Sequence, residues 1–118
     1  MIADADYNVR ALVGRFVTEA GYRATFATTG YEALDSARLS PPVAILADIL
    51  LPQLDGLALC RLIKGDPGTA SIVTVVFSVL PSEERAKKAG ADAFISKPLE
   101  KLRILKTLEE VTAKRGLG

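Results

Sequence analysis

The chain predicts an α/β fold, a single parallel sheet with helices on both faces. Two observations carry this. Short apolar runs of strand length alternate with longer stretches whose apolar residues recur at spacings of three and four. The run from Val43 to Ala47 is continuously apolar rather than alternating, as a strand covered on both faces requires. Strands joined by helices imply right-handed crossovers and parallel neighbours.

Each element has its own reason. Met1 to Ala3 reads as a short first strand. Val9, Leu12, Val13, Phe16, Val17 and Ala20 then form a helical stripe that Gly21 closes. Arg23 to Ala27, with Thr25 and Phe26, suits a second strand, and a helix from about Tyr31 to Leu39 is stopped by Pro41 and Pro42. After the third strand at 43–47, Leu57, Cys60 and Ile63 mark a third helix ended by Gly65 to Gly68. Ile72 to Phe77 is β-branched and apolar, a fourth strand. The segment PSEERAKKAG gives a short charged helix capped by Gly90. Ala93 to Ile95 is the fifth strand, and Leu99, Leu102, Leu105, Leu108 and Val111 line a last helix.

Composition narrows the function. The 118 residues, 49% hydrophobic and 25% charged, suit one domain able to bury a core, with no linker, repeat or low-complexity segment. Fifteen Lys plus Arg nearly balance fourteen Asp plus Glu, so no overall field draws nucleic acid or an anionic membrane; only a basic C-terminal segment offers a local contact. The single Cys60 forms no internal disulfide and falls on an apolar stripe, which makes it a core residue. Leu62 lies beside that stripe, either an exposed apolar contact or without a role. Neither a signal peptide nor a long apolar span appears, which suggests a cytoplasmic protein. The chain has no histidine. That excludes a Ser/His/Asp triad, a His-ligated zinc, a His general base and a phosphohistidine carrier.

In such a sheet, ligands bind beyond the carboxyl ends of the strands. The polar residues expected there are Asp4 and Asp6 after the first strand, Asp48 after the third, Ser78 after the fourth, and Lys97 before Pro98 after the fifth. A carboxylate, a hydroxyl and an ammonium around a second acid form a phosphoryl-handling set. Taken singly, each has a blander reading: Asp48 as a turn or helix cap, Lys97 as a solvated loop lysine, Ser78 as a strand terminus.

The chain resembles the receiver domains of bacterial two-component response regulators over essentially its full length. The resemblance rests on ILADILLPQLDGLALCRLIK at 45–64, VVFS at 75–78, AGADAFISKP at 89–98 and NVRALVGRFVTEAGY at 8–22. It implies a flavodoxin-like fold with strand order 2-1-3-4-5, one receiver domain at 1–118 and no output domain. It also implies roles. Asp48 would take a phosphoryl group from a sensor histidine kinase or phosphotransfer protein, with Ser78 and Lys97 holding phosphoryl oxygens. Asp4, Asp48 and the Leu50 carbonyl would serve Mg²⁺. Phe94 would be the aromatic that turns inward on activation, although an aromatic in this fold is also at home as simple core. The Lys97–Pro98 bond would be cis. The surface of the fourth helix, fifth strand and fifth helix would then select a downstream protein, the chain being a monomer or weak dimer.

Three departures stand against the family pattern. Ala5 replaces the second acid of the pair, the direct Mg²⁺ ligand, so the metal site should be weak; lost outer-shell partners alone cost about 10 to 100-fold in metal affinity. Asp6 is the alternative donor, since residues two apart in an extended segment share a face, but a turn there would aim it outward. The span from Ser78 to Gly90 is short by nearly a helical turn, and Val79 follows Ser78 where a smaller residue is usual. Few residues precede Asp4, so either the chain begins inside the natural domain or its central strand pairs poorly. Two functions follow: a phosphorylation switch, or a degenerate receiver kept as a phosphorylation-independent interaction adaptor. An aspartyl-nucleophile phosphatase would need an acid where Leu50 stands, and no enzyme activity is expected.

Overall fold

The computed structural model describes residues 1–114. The C-terminal boundary of the expected domain, and the end of the basic segment with Arg115, lie outside the described residues. Five strands alternate with five helices: β1 (Ile2–Ala3), α1 (Tyr7–Glu19), β2 (Phe26–Ala27), α2 (Gly30–Leu39), β3 (Ala44–Asp48), α3 (Gly56–Gly65), β4 (Val73–Ser78), α4 (Glu83–Lys88), β5 (Ala93–Ser96) and α5 (Lys101–Lys114). The strands form one sheet in the order β2-β1-β3-β4-β5, all parallel. Among the described residues no helix is long and apolar enough to cross a membrane.

Helix boundaries follow local chemistry. The Asp6 carboxylate accepts the Asn8 N–H at 2.7 Å and starts α1. Gly21, at φ 97°, ends it while the Tyr22 N–H donates to the Val17 carbonyl. Thr29 caps α2, with the Glu32 N–H on Thr29 Oγ1 at 3.1 Å, while the Glu32 carboxylate reaches back to take the Thr28 N–H. Asp55 caps α3 through the Ala58 N–H at 2.8 Å.

Strand parity divides the core. Ile2, Leu46, Val73, Val75, Phe77 and Ile95 pack under α1 and α5 with Val13, Val17, Ile104 and Leu108. Ala3, Ile45 and Ala47 face α2 and α3 through Leu34, Leu59 and Ile63. A third cluster joins Val76 to Cys60 of α3 and Ala86 of α4, with Phe94 packed against it.

Three expectations need correction. The second strand is only Phe26–Ala27, because β1 offers two residues for pairing and leaves 23–25 outside the ladder. The last helix buries Leu108 and Val111 of the expected stripe but adds Ile104 and turns Leu102 outward, 81% exposed, since a strict three-residue spacing drifts around a helix of 3.6 residues per turn. Leu12 on α1 is likewise exposed. By contrast, Cys60 is fully buried as expected, and α4 spans only six residues.

Candidate functional site

The parallel sheet brings the ends of β1, β3, β4 and β5 to one edge, and the strand order reverses between β1 and β3, the place where such sheets form a ligand crevice. Asp4 follows β1 and is buried, with its side chain 2% exposed. Asp48 closes β3 and its carboxylate is 11% exposed, within reach of solvent. Lys97, just past β5, reaches between them: its Nζ lies 3.1 Å from Asp48 Oδ2 and 3.3 Å from Asp4 Oδ2. The ammonium also lies 5.3 Å from the centre of the Phe77 ring, whose face adds a cation–π contact.

The other carboxylate oxygens are held by the backbone. The Leu50 N–H donates to Asp48 Oδ1 at 3.0 Å, and the Asp6 N–H donates to Asp4 Oδ1 at 2.7 Å. These bonds fix both carboxylates in rotation. The turn after β3 is tight: Gly56 donates to the Ile49 carbonyl at 2.9 Å, and a Cβ at Gly56 would collide with the Asp48 backbone. Only glycine fits that approach. Gln53 takes a positive φ of 69° within the same turn.

Burial is the main influence on Asp4 and raises its pKa; the Asp6 N–H and the Lys97 charge oppose it, while the Asp48 charge adds to the rise. For Lys97, burial pulls the ammonium down, but hydrogen bonds and charge from Asp48 and Asp4 outweigh it and the net shift is upward. The cluster thus holds Lys97 charged.

Ser78 ends β4 fully buried, one position beyond Phe77, which pairs with Asp48 of β3. Its hydroxyl accepts the Leu80 N–H at 3.1 Å, and the Lys97 N–H donates to its carbonyl. The Lys97–Pro98 bond is cis. Phe94 is half-buried on β5. It lines a groove of about 420 Å³ between α4 and α5, together with Ala86, Lys87, Arg103 and Lys106. Val79 is exposed, and so is Leu50.

Ala5 and Asp6 are both exposed, and the Asp6 carboxylate is engaged in capping α1. Asp6 therefore does not join Asp4 and Asp48. Among the described residues no group of three His, Cys, Asp or Glu side chains gathers as a metal cage. Two carboxylates, both on Lys97, leave a divalent cation a thin donor set, one that fits only a weak site.

Several contributors were not legible in the sequence. Phe77 read only as strand core, yet supports Lys97. Arg10 donates from Nη1 to the Asp4 carbonyl at 2.6 Å, with its guanidinium 5.9 Å from the Tyr7 ring centre. Lys64 of α3 joins Asp92 at 2.8 Å and the Ile72 carbonyl at 2.6 Å, while Asp92 takes the Thr74 N–H, tying α3 to β4.

Comparison with known proteins gives a consistent picture. The family described as the response regulator receiver domain matches residues 1–109. The polar-differentiation response regulator DivK of Brucella ovis is 32% identical over 112 residues, covering 92% of this chain and 90% of that protein. Among solved structures, the signal receiver domain of a signal transduction histidine kinase from Syntrophus aciditrophicus superposes with a TM-score of 0.88 at 28% identity, covering 96% of this chain and 88% of that one. The receiver domain of NtrX from Brucella abortus gives 0.85 at 28% identity, covering 95% and 96%.

Proposed function

Because the chain belongs to the response regulator receiver family, we propose that Asp48 is its phosphoacceptor and that the domain is a two-component signalling switch rather than an enzyme. One observation supports this most: the Lys97 ammonium held between the Asp4 and Asp48 carboxylates at the carboxyl edge of the sheet. Two buried acids beside a fixed cation are what an acyl phosphate requires, a nucleophile and a charge to meet the incoming phosphoryl group.

The phosphoryl group would come from a phosphohistidine of a sensor histidine kinase or phosphotransfer protein in the cytoplasm. An Asp48 carboxylate oxygen attacks phosphorus, the P–N bond of the donor breaks, and the imidazole leaves with the electron pair. The Leu50 N–H keeps the carboxylate in its rotamer. Lys97 exchanges its contact with Asp48 for one with a phosphoryl oxygen, and the Ser78 hydroxyl donates to another. The new group carries about −1.5 to −2 charges, enough to reorganise these neighbours. Movement of Ser78 makes room for Phe94 to turn inward from the groove beside α4. The α4-β5-α5 surface changes and selects a downstream protein by population shift. Mg²⁺, which receiver domains generally bind at this position, would meet Asp4, Asp48 and the Leu50 carbonyl and would neutralise charge on the phosphoryl oxygens, but weakly for want of an acid at Ala5.

A second reading has its own observation. The exposed Ala5 leaves no third acid at the site, which favours a domain kept for its binding surfaces alone. The two separate on incubation with Mg²⁺ and acetyl phosphate followed by intact mass. The switch gives a mass gain of one phosphoryl group that Asp48→Ala abolishes. An unchanged mass at every Mg²⁺ concentration leaves the adaptor.

A further inference from the structure

Resting on the phosphoacceptor reading above, we propose that Arg10 is a phosphoryl-binding residue, supplying the positive charge that a weakly held metal does not. Three observations carry it. Arg10 Nη1 is anchored at 2.6 Å on the carbonyl of Asp4, the residue whose carboxylate lies 3.3 Å from Lys97 Nζ, so the guanidinium is tied to the segment that delivers that carboxylate. It has no carboxylate partner: among the described residues its contacts are that carbonyl and the Tyr7 ring. The residue between the anchoring carbonyl and the Asp6 cap is Ala5, whose methyl group offers neither a ligand to a cation nor a carboxylate to neutralise a guanidinium.

Charge and donor count make the case. Asp4 and Asp48 with Lys97 leave the crevice one negative charge, and an acid at position 5 would add another. Its absence weakens metal binding but lowers the repulsion an incoming phosphoryl dianion meets. A guanidinium has five N–H donors in a planar fork suited to phosphoryl oxygens, and one hydrogen bond to Asp4 leaves the rest available. Arginine and Lys97 would then flank the transferred group from two elements, α1 and the turn after β5. In the reaction the acetyl phosphate P–O bond breaks, a P–O bond to Asp48 forms, and acetate leaves with the electron pair. No redox partner or added proton is needed.

The test is the rate of acetyl phosphate labelling, by intact mass, in excess EDTA and in Mg²⁺, for the full chain and for Arg10→Gln and Arg10→Lys. Glutamine keeps a donor for the Asp4 carbonyl without the charge, and circular dichroism checks that each variant is folded. The proposal predicts that EDTA slows the unmodified chain by less than about 10-fold, and that Arg10→Gln loses about 100-fold in EDTA, the scale of one lost charge-stabilising donor. Arg10→Lys recovers most of that loss. The Arg10 Nε–H resonance should also shift on labelling in EDTA. Labelling that requires Mg²⁺, or Arg10→Gln labelling as the unmodified chain does, overturns the role of Arg10 and leaves Asp48 standing as acceptor. No labelling of the unmodified chain in either medium overturns both.

Discussion

Lys97 Nζ stands 3.1 Å from Asp48 Oδ2 although 49 residues separate them in the chain. It also stands 3.3 Å from Asp4, 93 residues away. One flexible side chain therefore bridges two carboxylates delivered by different strands, and the whole site depends on it.

Replacing Lys97 with Met should leave Asp4 and Asp48 facing one another without a cation. Breaking a fully buried pair costs about 3 to 5 kcal/mol; with Lys97 19% exposed, the expected loss is smaller, about 1 to 3 kcal/mol in urea unfolding. The pH dependence has a definite sign. Lys97 has a folded pKa above its ordinary value of 10.5, so its contribution is complete below pH 10.5 and is lost as pH rises through the folded value. Between neutral pH and pH 10.5 the stability gap between the two proteins should be flat, and above that it should narrow. A gap that widens there contradicts the assignment.

Gly56→Ala should disturb the site through the backbone. The added Cβ meets the carbonyl of Asp48 and lies 2.9 Å from the Ile49 Cα, neither of which is free to yield. A loss of about 1 to 3 kcal/mol is expected from overpacking, with shifted amide resonances at Asp48 and Leu50. A variant as stable as the parent with unmoved resonances would show that the turn has slack.

Ala5→Asp should strengthen Mg²⁺ binding by at least about 10 to 100-fold, the range attached to lesser, outer-shell losses. Titration calorimetry reads the change directly. Equal affinity in both proteins would mean that the exposed position 5 does not face the cation.

Cys60 should resist alkylation in the native protein. Burial pushes its thiol up to about 11, and its sulfur lies 3.4 Å from the Ala89 carbonyl. Iodoacetamide at pH 8 should modify it only after unfolding, since the thiolate is the reactive form. Rapid native labelling would place α4 in frequent local opening.

The sheet was readable because its strongest signals are local: the continuous apolar run at β3, the β-branched run at β4, and glycines and prolines at helix ends. The order of strands came from resemblance, not from periodicity. The limits were set by partners distant in sequence. Arg23 to Thr25 have strand composition, but the short β1 reaches them only through the Ile2 N–H, which donates to the Thr25 carbonyl at 2.8 Å. Leu102 and Leu105 fit a three-residue stripe, while the helix buries Ile104 and Leu108, because the α5 face is chosen by packing against β4 and β5. At the site, the residue types were visible at Asp4, Asp48, Ser78 and Lys97. The contact of Lys97 with Phe77 and the anchoring of Arg10 on a backbone carbonyl were not, since neither leaves a pattern in spacing.

Borohydride reduction of the acetyl phosphate-treated protein, followed by peptide mapping, tests the central claim most directly. Reduction of an acyl phosphate marks the acceptor permanently. The account predicts one reduced residue, Asp48, and none in untreated protein. A mark at another carboxylate, or no mark where the intact mass shows a phosphoryl adduct, would contradict Asp48 as the acceptor.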